Sequence, residues 1–192
     1  MTRSNLMIVQ GGGPTAVLNT SLSAVISEAQ RQPDIGRIYG ARYGVKGLVQ
    51  AELTELTDLT PTQLERLRGT PGAALGTSRY CPDEGDLKKL VGTLRGRDIG
   101  SLLFIGGNGT MRGAEVVSAF CKLEGVSIRV AGVPKTVDND IGVTDRCPGY
   151  GSAARYIAFV TRELGADIRS LPQPVTILET LGRSVGWIAA AA

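Results

Sequence analysis

Three short stretches of this 192-residue sequence bring together residue types that can hold and move a phosphoryl group. Gly11-Gly12-Gly13-Pro14-Thr15-Ala16 leaves an apolar run and enters a helical one, so bare backbone N–H groups and a positive helix end would favour a phosphate there. The same residues satisfy G-x-G-x-x-A from Gly11 to Ala16, with Arg42 as a 2′-phosphate partner, which keeps an NADP-dependent oxidoreductase open. A tight turn that needs only small residues accounts for them equally well. Gly106-Gly107-Asn108-Gly109-Thr110 repeats the arrangement. Gly109 keeps side chains away from an approaching polyphosphate, and Thr110 either caps the following helix or contacts a phosphate or metal-bound water. In Pro134-Lys135-Thr136-Val137-Asp138-Asn139-Asp140, carboxylates at i and i+2 can converge on one hydroxyl and one metal, or simply form a solvated Asx-turn.

The chain contains no histidine, which removes Ser-His-Asp hydrolysis, His-ligated zinc and imidazole acid–base steps together. Chemistry must run on carboxylates, basic residues, backbone and metal. Hydrophobic residues at 42%, charged residues at 20% and a mean hydropathy of +0.05 describe a soluble globular chain, neither disordered nor membrane-embedded. The 26 glycines are about twice the usual share of roughly 7%, so backbone does work that side chains normally do. A net charge of +3 from scattered arginines carries no basic run for nucleic acid and fits an anionic small substrate or a slight surface excess. Cys81, Cys121 and Cys147 lack CxxC spacing and read as reduced thiols, which, with no signal segment at the N-terminus, points to the cytoplasm.

The elements that must position these residues follow from apolar runs and turn signals. Strands are expected at Leu6–Val9, Gly36–Tyr39, Ser101–Ile105, Ser127–Val133 and Val175–Leu178. Helices are expected at about Ala16–Arg31, Pro61–Arg68, Asp86–Arg97, Thr110–Cys121 and Tyr150–Leu164, with a polar region between the second strand and Thr60. Unalternating strands separated by helices give an α/β fold, a three-layer, doubly wound, mostly parallel sheet. In such a sheet, ligands sit beyond the carboxyl ends of the strands, where all three stretches fall. The chain stops inside an apolar segment at Trp187-Ile-Ala-Ala, which reads as a truncated N-terminal domain spanning 1–192 with a C-terminal half absent.

Gly-Gly-x-Gly-Thr, then Gly132-Val-Pro-Lys-Thr-Val-Asp-Asn-Asp-Ile141, then Gly149-Tyr-Gly-Ser, then Glu179-Thr-Leu-Gly-Arg183 resemble the N-terminal half of the phosphofructokinase family. The resemblance runs from Gly11 to Trp187 and implies a Rossmann-like domain that binds the phosphoryl donor and carries the catalytic groups. It implies Asp138 as general base on the sugar 1-hydroxyl, with Asp140 assisting and helping to place Mg2+, and Thr136 on the sugar phosphate or transferred group. It implies Gly11, Tyr43, Arg79, Gly107, Asn108, Gly109 and Thr110 around the donor, with Asn108 and Asp140 on the metal. It implies Leu181, Gly182 and Arg183 on the sugar phosphate, fructose 6-phosphate as acceptor, a homo-oligomer at full length, and neither nucleic acid nor membrane as partner. Asn108 replaces the family's usual magnesium-binding aspartate, Leu181 its methionine, and Pro174 an arginine that reaches a neighbouring subunit's sugar phosphate. Gly109 leaves room for ATP, whereas Lys135 matches a lysine that binds pyrophosphate, and Asp145–Ser152 leans the same way. ATP is the expected donor, with a pyrophosphate-dependent enzyme or a catalytically weakened binding homologue as alternatives.

Overall fold

Met7, Ile8 and Val9 are fully buried, so the strand that carries them must be covered on both faces. In the computed structural model, which describes residues 3–172 and 175–192, that strand, β1 (Ser4–Gln10), is central in a five-stranded sheet of order β3-β2-β1-β4-β5. β2 (Ile35–Ala41) and β4 (Ile99–Gly106) flank it in parallel, and β5 (Arg129–Pro134) adds in parallel outside β4. β3 (Leu53–Glu55) pairs antiparallel with β2 at the other edge. The period-2 alternation of strand side chains divides the core. Met7 and Val9 of β1, with Leu102 and Phe104 of β4, join one cluster with α2 (Val45–Gln50), α4 (Glu84–Gly96) and α5 (Asn108–Leu123). Leu6, Ile8 and Ile105 join the other with α1 (Ala16–Ala29) and α3 (Pro61–Gly69). The expected three layers are therefore present.

Local chemistry fixes where two helices begin. Thr60 accepts from the Gln63 backbone while the Gln63 side chain reaches back to Thr60, with Pro61 at the first helical position. Asp83 and Asp86 form the same reciprocal box at the start of α4. Three expectations need correction. The polar region after β2 contains α2 and β3, both too short to show a period. α5 starts at Asn108, with Gly107 as its N-cap, so Thr110 lies inside the helix and does not cap it. Residues 175–178 are not a strand. An extended run needs a neighbour to complete its hydrogen-bond ladder, and Val175 and Ile177 stand 84% and 92% exposed. Pro174 lies outside the described residues.

The chain divides into two compact units, Met1–Pro134, which holds the whole sheet, and Lys135–Ala192. The second contains α6 (Tyr150–Ile168), which has no buried residue, and the short α7 (Trp187–Ala190). Among the described residues no helix is long and apolar enough to cross a membrane.

Candidate phosphate-binding cavity and carboxylate loop

From β1 the chain moves outward to β2 on one side, then returns to place β4 on the other, which opens a crevice at the carboxyl ends of β1 and β4. The two glycine crests meet there. The Gly11 N–H donates to the Ile105 carbonyl at 2.9 Å. A Cβ on Gly11 would stand 2.5 Å from Thr110 Oγ1, and one on Gly106 would stand 2.6 Å from the Gly11 carbonyl oxygen. Glycine is required at both positions by close approach. Gly109 differs, because nothing lies within 4 Å of where its Cβ would be.

Above the crests lies a cavity of about 420 Å³. Gly11, Gly107, Gly109, Thr110 and Arg79 line it, five of the seven expected donor residues. Asn108, the first residue of α5, and Tyr43 are not in its wall. Tyr43 has a left-handed backbone (φ +57), donates its N–H to the Leu75 carbonyl at 2.8 Å and accepts from Ser78 Oγ at 2.7 Å. Its neighbours Gly44 and Val45 face the cavity instead. Arg42, 5.4 Å over the Tyr43 ring, is also outside the wall. Two other hollows, of about 500 and 590 Å³, adjoin α1. The larger is bordered by Glu28, Arg31, Glu65 and Arg68, which already pair with each other as Arg31–Glu28 and Arg68–Glu65.

Sequence reasoning missed two parts of this site. One is the wall formed by Tyr80, Pro82, Arg112 and Val116, which depends on the rotation of α5 and the return of the loop after α3. The other is a pair of fully or almost fully buried amides, Gln10 and Asn19. Gln10 Nε2 donates to the Leu18 carbonyl at 3.0 Å and to Asn19 Oδ1 at 3.3 Å, and Gln10 Oε1 accepts from the Leu75 N–H at 3.0 Å. Asn19 donates to the Thr70 carbonyl at 2.9 Å and accepts from the Ala74 N–H at 2.7 Å. Together they tie β1 and α1 to the loop that presents Arg79. A glutamine closing an otherwise apolar strand, and an asparagine on the buried face of a helix, were the available signals. Further along that loop the Tyr80 hydroxyl donates to Asp86, which raises the phenol pKa and holds the Asp86 carboxyl below its ordinary value.

In the second unit, the carboxylate loop is braced by its own backbone and one amide. The Thr136 N–H donates to the Pro148 carbonyl at 3.1 Å, and Thr136 Oγ1 accepts from the Asp138 N–H at 3.1 Å. Asn139, with φ +57, donates to the Asp145 carbonyl at 3.1 Å and accepts from the Cys147 N–H at 2.8 Å. Asn139 thus supplies the turn chemistry, and Asp138 and Asp140 sit half-buried on either side of it. Lys135 is buried; burial lowers its pKa, opposed by the nearby Asp138 charge. Leu181, Gly182 and Arg183 form a separate exposed turn, closed by the Val185 N–H on the Gly182 carbonyl at 2.8 Å. Gly182 has φ +150, a conformation that favours glycine.

No group of three or more His, Cys, Asp and Glu that could hold a metal occurs among the described residues. The expected magnesium ligands, Asn108 and Asp140, belong to different units, and each by itself offers the oxygen donor, amide or carboxylate, that magnesium takes.

The family model described as Phosphofructokinase matches residues 5–192. The chain is 38% identical over 200 residues to a pyrophosphate–fructose 6-phosphate 1-phosphotransferase of Xanthomonas campestris, covering 100% of this chain and 47% of the relative. It is 40% identical over 186 residues to a sulfofructose kinase of Alkalicoccus urumqiensis, covering 96% and 48%. The crystal structure of a pyrophosphate-dependent phosphofructokinase from Marinobacter aquaeolei superposes with a TM-score of 0.87 at 41% identity, over 98% of this chain and 48% of that one. The chain spans about half the length of the relatives it matches.

Proposed function

The chain belongs to the phosphofructokinase family, and from that premise we propose that it supplies the donor-binding and base-carrying half of an ATP-dependent phosphotransferase acting on a sugar phosphate. The observation that carries the choice of donor is the cavity beside the glycine crests. Its apolar wall of Tyr80, Pro82, Val45 and Val116 offers a surface that a purine would bury and that pyrophosphate has no use for. The open space at Gly109 supports the same donor. The pyrophosphate named in two of the relatives is the competing donor.

In this reading Gly107 and Gly109 present backbone N–H groups and Thr110 its hydroxyl to the donor phosphates at the N-terminus of α5, Gly11 keeps the facing turn free of a side chain, and Arg79 adds a guanidinium fork. Asp138 takes the proton of the sugar 1-hydroxyl as that oxygen attacks, with Thr136 fixing the Asp138 backbone and Lys135 supplying positive charge to the transferred group. Leu181, Gly182 and Arg183 hold the sugar phosphate. Magnesium would neutralise charge on the donor, with the Asn108 amide oxygen and the Asp140 carboxylate each a candidate ligand to it. Fructose 6-phosphate is the acceptor, the cytoplasm the setting, and a homo-oligomer the full-length state.

Calorimetric titration with ATP and with pyrophosphate tests the donor. ATP is expected to bind the more tightly, and the opposite order overturns the choice of ATP. Transfer assayed side by side with fructose 6-phosphate and sulfofructose tests the acceptor, with faster turnover of fructose 6-phosphate expected.

A further inference from the structure

The ionisable side chains in the cavity wall are unbalanced. Two guanidiniums, Arg79 and Arg112, face it, and no aspartate or glutamate does. Among the described residues neither arginine takes part in an ion pair. Arg112 follows Gly109 by three residues on a helix of 16 and so lies on the same face, one turn on. Arg112 lines the cavity together with Gly109 and Thr110, and the space beside Gly109 is open. The first turn of α5 has no acidic residue to compete for it.

We propose that Arg112 is a ligand to the donor phosphates whose fixed charge does part of the neutralisation that a divalent cation otherwise supplies, so that the donor also binds in metal-free form. The proposal rests on the assignment of this cavity to the donor. A guanidinium held over the phosphates on a rigid helix faces the full negative charge of free ATP. It faces a smaller one once magnesium is bound, so its contribution is largest when the metal is absent.

The test compares ATP affinity in EDTA with that in excess magnesium for the wild-type chain, Arg112→Met, Arg112→Lys and Gly109→Trp. Arg112 is exposed, so its replacement leaves the core intact. Arg112→Met is expected to weaken metal-free ATP about tenfold or more and magnesium-bound ATP by less than about threefold, with Arg112→Lys between the two. Equal loss in both conditions, or none in either, overturns the proposal. Gly109→Trp separates the two failures. If it leaves ATP binding unchanged, the cavity is not the donor site; if it abolishes binding while Arg112→Met changes nothing, the cavity stands and Arg112 has no part in it.

Discussion

The two units of this chain are built on different principles. Of the 29 buried apolar residues described, 27 lie in Met1–Pro134, and only Cys147 and Ile188 lie in Lys135–Ala192. Exposed large apolar side chains are distributed the other way, nine of 13 in the second and much shorter unit. The first unit holds its glycine crests on a sheet whose burial resists deformation. The second holds its carboxylates on a loop fixed by a few hydrogen bonds from Thr136 and Asn139. On the proposed reading, binding would fall to the element that a core rigidifies and proton transfer to one set by local polar geometry. Stability and turnover should therefore respond to mutation in different places.

The largest expected effect is on turnover alone. Asp138→Ser in the active enzyme should lower kcat by about 10²–10⁴-fold while donor affinity and melting temperature stay near wild type. Single-turnover kinetics alongside a thermal melt checks both, and a large fall in melting temperature would mean that the carboxylate is structural. Next comes Phe104→Ala in β4, fully buried between sheet and helices, which should cost about 3–5 kcal/mol of unfolding free energy. Phe159→Ala on α6, 52% exposed, should cost less than about 1 kcal/mol. Urea titration of both decides whether the contrast between the units is energetic or only geometric.

Asn19→Ala should cost about 1–3 kcal/mol, because the Gln10 amide and the Thr70 and Ala74 backbone groups lose a buried partner. It should also weaken donor binding through the loop bearing Arg79. Donor affinity measured well below the melting temperature separates this from simple unfolding. The smallest effect concerns acid. A carboxyl held below its ordinary 3.8 stabilises the fold above that value, and the contribution is lost as pH falls through the lower folded value. Tyr80→Phe removes the main cause of the shift, so the variant should start less stable near neutral pH and lose less of its stability than wild type as pH falls below 3.8. Superimposable acid-denaturation curves would count against it.

The sheet was legible because its central strands are continuous apolar runs and its helices carry a clear period. α2 and β3 escaped notice because six and three residues cannot establish one. Residues 175–178 show the reverse error, an apolar β-branched run that has strand composition and no ladder to join. In the site, the glycine crests could be read because their backbone geometry demands the residue type. Arg112 and Tyr80 could not, since any solvent-facing position accepts an arginine or tyrosine and only the rotation of α5 and the path of a loop turn these two toward the cavity. Tyr43 shows how narrow that margin is, with the next two residues in the wall and the tyrosine itself outside it.

The buried amides of Gln10 and Asn19 have a kinetic consequence. They anchor Thr70, Ala74 and Leu75, and Ser78 is held in turn by the Tyr43 carbonyl, so the strand of loop leading to Arg79 is immobilised when the chain folds. The conformational freedom of that loop is lost before any ligand arrives. Association with this wall should then be a single encounter, its observed rate rising in proportion to ligand concentration without the plateau that a slow closing step imposes.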